Sequence, residues 1–170
     1  THADLVVVAV GELSVNAVAR ACFALPWAVL LEKPAGYDLA DAEDIHAARS
    51  ERVYVALNRR FYSSTRQAIA AMQDDEGRRF VKVQEQEEPA RAPAAGRPSQ
   101  VVDNWMYANS IHIMDYFRLF GRGAITRVEP VVPWNSEEPG IVIAHLQYAS
   151  RDVGLYEGIW IRPGPWAVDA

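Results

Sequence analysis

The chain has 170 residues, with 17 Lys+Arg against 22 Asp+Glu and a formal net charge of -5. Half of the residues are hydrophobic and 23% are charged, the ordinary balance of a folded globular chain rather than a disordered tail, a collagen-like fibre or a coiled coil. No apolar run approaches the roughly 20 residues of a membrane span, and the acidic balance argues against a nucleic-acid or anionic-lipid partner.

Asp4–Val10 is a continuous apolar, β-branched run, the pattern of a strand buried on both faces of a parallel sheet. Ser14 is placed to cap a helix through Ala24 with Val15, Val18, Cys22 and Leu25 at helical spacing. Trp27–Leu31 reads as a second buried strand. Asp38 or Asp41 opens a helix to about Ser50, with Leu39, Ala42, Ile45 and Ala48 inward. Val53–Leu57 is a third strand, and Ser63 caps a helix through Met72. Strand and helix alternating at roughly 25-residue spacing is a doubly wound α/β pattern. In such sheets, ligands bind beyond the carboxyl ends of the strands. Here those ends are Gly11 and Glu12, then Glu32, Lys33 and Pro34, then Asn58, Arg59 and Arg60. Polar residues also follow strands simply because loops are polar, so both readings stand. A Gly-x-Gly-x-x-Gly phosphate loop is absent from this sequence. The chain opens without Met on residues that read as mid-domain sequence, so a fragment is expected.

The second part changes character. Arg79–Glu87 alternates and reads as a half-solvated antiparallel strand. Glu88–Gln100, rich in Pro and Ala, reads as a long loop. Asp103–Phe120 reads as one helix ended by Gly121. Thr126–Trp134, Ile141–Ala149 and Val153–Arg162 are strand-like, separated by turns at 135–140 and 150–152, and 162–170 starts one more strand. The expected fold is α/β plus α+β. Residues 1–62 form the C-terminal half of a Rossmann-like dinucleotide-binding domain with a partial, doubly wound parallel sheet. Residues 63–170 form a partial substrate domain, a mostly antiparallel open sheet plus a helix.

Among residues with chemistry, Lys33 leaves a buried strand, where partial burial suits a lysine to proton transfer; an exposed lysine paired with Glu32 is the plain alternative. His112 sits mid-helix with Asp115 three residues on, close enough to share its face and raise its pKa; a satisfied core histidine is the alternative. His145 reads as structural, His2 and His46 as exposed. Cys22 excludes an internal disulfide and reads as a buried, inert thiol. No histidine pair has metal-ligand spacing, so no metal is expected. No Gly-x-Ser-x-Gly elbow appears.

Leu31-Glu32-Lys33-Pro34-Ala35-Gly36, the run Val55–Phe61 with its Asn58-Arg59-Arg60, and Ser110–Gly121 with His112 and Asp115 together resemble the glucose–fructose oxidoreductase/inositol dehydrogenase (Gfo/Idh/MocA) family, truncated at both ends. The resemblance implies an NAD- or NADP-dependent oxidoreductase that moves a hydride between a nicotinamide and a sugar, polyol or similar hydroxyl or carbonyl substrate. It also implies a cytoplasmic setting, no membrane or nucleic-acid partner, and a homo-oligomeric parent. Lys33 and His112 would be catalytic, with the Lys33–Pro34 bond often cis. Val10, Gly11, Glu32, Lys33 and Asn58 would lie along the cofactor pocket. Trp105, Tyr107 and Asn109 would line the substrate site. The sequence departs from the family where Val10-Gly11-Glu12 follows the first strand and where Ala108 replaces the usual Asp four residues before the histidine. Those departures favour the alternative of a non-catalytic ligand-binding or regulatory member, while the retained Lys33 and His112 oppose it.

Overall fold

The computed structural model describes residues 3–91, 93–135, 137–138 and 140–170; the readings placed on His2, and on Ser136 and Pro139 within the turn at 135–140, lie outside these. The chain packs as two compact units, one of Thr1–Leu57 with Pro93–Ile111, the other of Asn58–Ala92 with His112–Ala170. Residues 93–111 thus pack with the first unit although they follow the expected domain boundary after residue 62.

In the first unit, β1 (Leu5–Val8), β2 (Ala28–Leu31) and β3 (Val53–Val55) form a parallel sheet in the order β1-β2-β3. Parallel strands need crossovers: α1 (Val15–Phe23) joins β1 to β2, and α2 (Leu39–Ala48) joins β2 to β3. Asp38 caps α2, its carboxylate accepting from Asp41 N at 2.8 Å. Both helices cover the same face, where Val8, Val29 and Leu31 meet Val15, Ala19 and Ile45. Val6 pairs with Val29 and Val8 with Leu31, so these side chains share that face. The other face carries Leu5, Val7 and Tyr54, which are 55%, 59% and 61% exposed. The strands expected to be buried on both faces are therefore covered on one in this chain. Val18, Leu25 and Leu39, expected inward, are also exposed, and Cys22 is partly buried against the core.

The second unit holds α3 (Ser63–Ala71) and a five-stranded mixed sheet in the order β5-β6-β7-β4-β8: β4 (Phe80–Gln86), β5 (Ile125–Val132), β6 (Ile141–Tyr148), β7 (Val153–Ile159) and β8 (Trp166–Asp169). Three of its pairings are antiparallel, but β4 lies parallel to β7 and antiparallel to β8. It is an interior strand rather than the antiparallel strand its sequence suggested. Val81, Val83 and Glu85 alternate inward on it.

The expected helix over 103–120 begins earlier and is broken. The chain forms α4 (Ser99–Asp103), a π-helical turn at Met106–Ser110, α5 (Ile111–Met114) and α6 (Tyr116–Phe120). The Pro/Ala loop contains short 3₁₀ turns at Pro89–Arg91 and Pro93–Ala95. The fold class is the expected one: a partial Rossmann-like sheet with crossover helices and an open, mostly antiparallel sheet. No helix among the described residues is long and apolar enough to cross a membrane.

Candidate functional site

The residues singled out in the sequence fall into two groups, one in each compact unit. In the first unit the carboxyl end of β1 opens into Val10, Gly11 and Glu12. Val10 is 41% exposed, and a side chain added at Gly11 would meet nothing within 4 Å. Gly11 O accepts from Ser14 N at 2.8 Å, closing the 3₁₀ turn that leads into α1. Glu12 forms an ion pair with Arg97 of the Pro/Ala loop. The carboxyl end of β2 gives Glu32, exposed beyond its main-chain bond to Val8 O at 2.8 Å.

Lys33 follows, half-buried. Its bond to Pro34 is cis, as the resemblance implied. The loop is fixed by two buried residues, Pro34 and Gly36. Gly36 has φ +109, and an added Cβ would lie 2.4 Å from the main-chain nitrogen of Ala42. Only glycine fits there. The loop thereby aims Lys33 at the π-helical turn, where Nζ donates to Ala108 O at 3.0 Å. A π turn widens the helix and leaves carbonyls less regularly paired, a feature frequent at functional sites. The methyl of Ala108 is buried; the lysine engages the main chain at the position where the family's usual Asp would stand.

Trp105, Tyr107 and Asn109 lie in or beside this turn and are all half-buried. Burial, with the charges of Asp38 and Glu43 adding to it, pushes the Tyr107 phenol above its ordinary value. The hydroxyl stays protonated at neutral pH and can donate a hydrogen bond.

The second unit contains Asn58 and His112. Asn58 opens a 3₁₀ turn, Asn58–Phe61, and is exposed. His112 lies in α5, also half-buried, between buried Ser110 and Ile113. Asp115, expected to serve the imidazole, has both carboxylate oxygens taken by Arg60, which donates from Nε and one terminal nitrogen. That pairing drives the Arg60 pKa further up. His145 is exposed on β6, opposite Glu129 and Leu155. His46 is exposed.

Two features escaped sequence reading. The Arg60–Asp115 pair joins residues 55 positions apart and has no local signal. Glu85 is fully buried and accepts on one oxygen from Tyr156 OH at 2.9 Å and Trp160 Nε1 at 2.6 Å. Its inward direction was available from the two-residue period of β4, which makes Glu85 face the same way as Val81 and Val83. Among the described residues no group of three or more His, Cys, Asp or Glu could hold a metal ion.

No protein-family model matches the sequence, and no curated protein does. Solved structures do. A dehydrogenase from Chromobacterium violaceum superposes at TM-score 0.79 and 22% identity, covering 99% of this chain and 50% of that one. The WlbA dehydrogenase from Bordetella pertussis, in complex with NADH and UDP-GlcNAcA, gives 0.74 at 18%, covering 97% and 51%. Levoglucosan dehydrogenase in complex with NADH gives 0.77 at 16%, covering 96% and 50%. The chain spans about half the length of these structures. It has the fold of Gfo/Idh/MocA-type dehydrogenases over nearly all of its residues, as its motifs implied.

Proposed function

We propose that the chain is part of an NAD(P)-dependent oxidoreductase of the Gfo/Idh/MocA family, acting on a CH–OH group of a sugar, polyol or similar compound. The observation that carries this is Lys33: it leaves a buried parallel strand and places Nζ 3.0 Å from the carbonyl of Ala108, in the turn that leads into the helix of His112. The open strand ends at Val10, Gly11 and Glu32 suit a flat ring laid against the main chain; no heavy atom stands within 4 Å of where a Gly11 Cβ would be. These residues, with Lys33 and Asn58, would hold the nicotinamide part of NAD or NADP, which when bound accepts or donates the hydride.

The proton is left to the protein. Lys33, an ammonium with three donors, donates a hydrogen bond to the substrate oxygen and stabilises negative charge developing there. His112 removes the hydroxyl proton as the alcohol becomes a carbonyl, and returns it in the reverse direction. Trp105, Tyr107 and Asn109 would bound the sugar, with the protonated Tyr107 phenol as a donor. A cytoplasmic homo-oligomer completes this reading, in keeping with a family of metabolic dehydrogenases.

The test is turnover by the whole protein of a panel of sugars and polyols with NAD and NADP, followed at the nicotinamide absorbance. Lys33→Met and His112→Gln should each lower kcat by about 10²–10⁴-fold without moving the melting temperature. No turnover with either cofactor, or turnover indifferent to both substitutions, would favour a non-catalytic ligand-binding or regulatory member.

A further inference from the structure

We infer that the segment after β3 is a two-point clamp on the break between α5 and α6, and that Arg60 is a positioning residue for His112. Asp115 stands at this break, at the N-cap of α6. Its backbone is itself helical, with φ -60 and ψ -23, so its side chain is free to reach away from the helix end. Asp115 makes no side-chain cap bond; both oxygens accept from Arg60 in the bidentate, fork-to-fork geometry that fixes direction as well as distance. The Asp115 side chain is 5% exposed and that of Arg60 36%, so water competes poorly for the carboxylate.

The second point is one residue further on. Thr65 Oγ1 lies 2.8 Å from Arg59 O and 2.8 Å from Tyr116 OH. A carbonyl only accepts, and threonine has one hydroxyl proton, so Thr65 donates to Arg59 O and Tyr116 donates to Thr65. Thr65 is 2% exposed. Arg60 and Thr65, the latter held by Arg59 O, therefore grip two consecutive residues, Asp115 and Tyr116, with both Asp115 and Thr65 buried. His112 lies three residues before Asp115, on the adjoining turn of the same face. A rotation or slide of the helix at the break would carry the imidazole with it.

The task assigned to His112 rests on the oxidoreductase reading; the clamp itself does not. The experiment is NMR on the whole protein, reading the His112 imidazole signals and hydrogen exchange of the amides of residues 111–116. Arg60→Met should shift or broaden the imidazole signals and speed exchange of those amides by about tenfold, the equivalent of one net hydrogen bond. Arg60→Lys, which keeps the charge but loses the fork, should recover part of both effects. Thr65→Val, a small uncharged change, should act in the same direction less strongly and decides the matter if Arg60→Met does not fold. A lowered melting temperature with the His112 signals unmoved in Arg60→Met, or in Thr65→Val if that variant decides, would overturn the clamp. Loss of the clamp with turnover intact sinks this inference alone; absent turnover with the clamp effects as described sinks the oxidoreductase reading alone.

Discussion

The loop after β2 and the knot at the start of β7 use similar residues to opposite ends. At the knot, Asp152 is buried with a side-chain exposure of 0%. It accepts from Arg79 N at 3.0 Å, Arg122 N at 3.0 Å and Arg122 Nε at 2.9 Å. The remaining Arg122 nitrogens reach Asp75 O and Gly77 O. Arg122 and these amides hold the Asp152 carboxyl far below the usual carboxylate range. The aspartate charge and burial then raise the phenol of neighbouring Tyr148 to about 12, burial being the larger cause, while its hydroxyl donates to Phe117 O at 2.9 Å. Charge here closes a structure. In the β2 loop the backbone is fixed as tightly, by Gly36 against Ala42, yet the charge it presents is Lys33, half-buried and donating to the main-chain carbonyl of Ala108. On the proposed reading, rigidity under a half-buried charge serves a site, and rigidity around a fully enclosed charge serves as a fastening.

The comparison is broken most strongly at the fastening. Asp152→Asn should destabilise the protein by about 3–5 kcal/mol, because Arg122 and two amides lose a buried carboxylate; denaturant unfolding measures it, and turnover per folded molecule should hold. The same carboxyl sets an acid sensitivity. Its folded pKa is depressed, so its stabilisation is fully present above the unfolded value of about 3.9 and is lost as pH falls through the folded value. The wild type should therefore lose stability below about pH 4 more steeply than Asp152→Asn.

Gly36→Ala sharpens the other side. The left-handed backbone and a contact with main chain that cannot yield should cost about 1–3 kcal/mol, a smaller loss than at Asp152. It should be accompanied by a fall in kcat, since the loop that aims Lys33 must shift. Unchanged kcat in Gly36→Ala would mean that the loop's rigidity does not serve the lysine.

Most elements of the two units were legible because their signals are local. Apolar β-branched runs, an Asp at the start of α2 and turn residues at 150–152 each act within a few positions. The strand-end rule found Lys33 before any geometry was known. What escaped is non-local. The apolar run of β1 does not say that Leu5 and Val7 are exposed in this chain, since periodicity reads tendency rather than neighbours. The helix over 103–120 reads as continuous because its side chains keep helical spacing, while the π turn at 106–110 and the break at 115 are where Lys33 and Arg60 bond to it from elsewhere in the sequence. Asp115 illustrates this: its distance from His112 suggested a service to the imidazole, but its pairing through both oxygens with Arg60, 55 positions away, has no local signal.

The central claim is that Lys33 and His112 serve one reacting oxygen. A crystal structure of the whole protein with NADH or NADPH measures this directly. If each group comes within about 3 Å of one substrate oxygen, Lys33 Nζ and the nearer imidazole nitrogen should lie no more than about 6 Å apart, facing one cleft with the nicotinamide at the ends of β1 and β2 and Asn58 on the same opening. A separation well beyond that range, or a nicotinamide bound away from Val10, Gly11 and Lys33, would contradict the account.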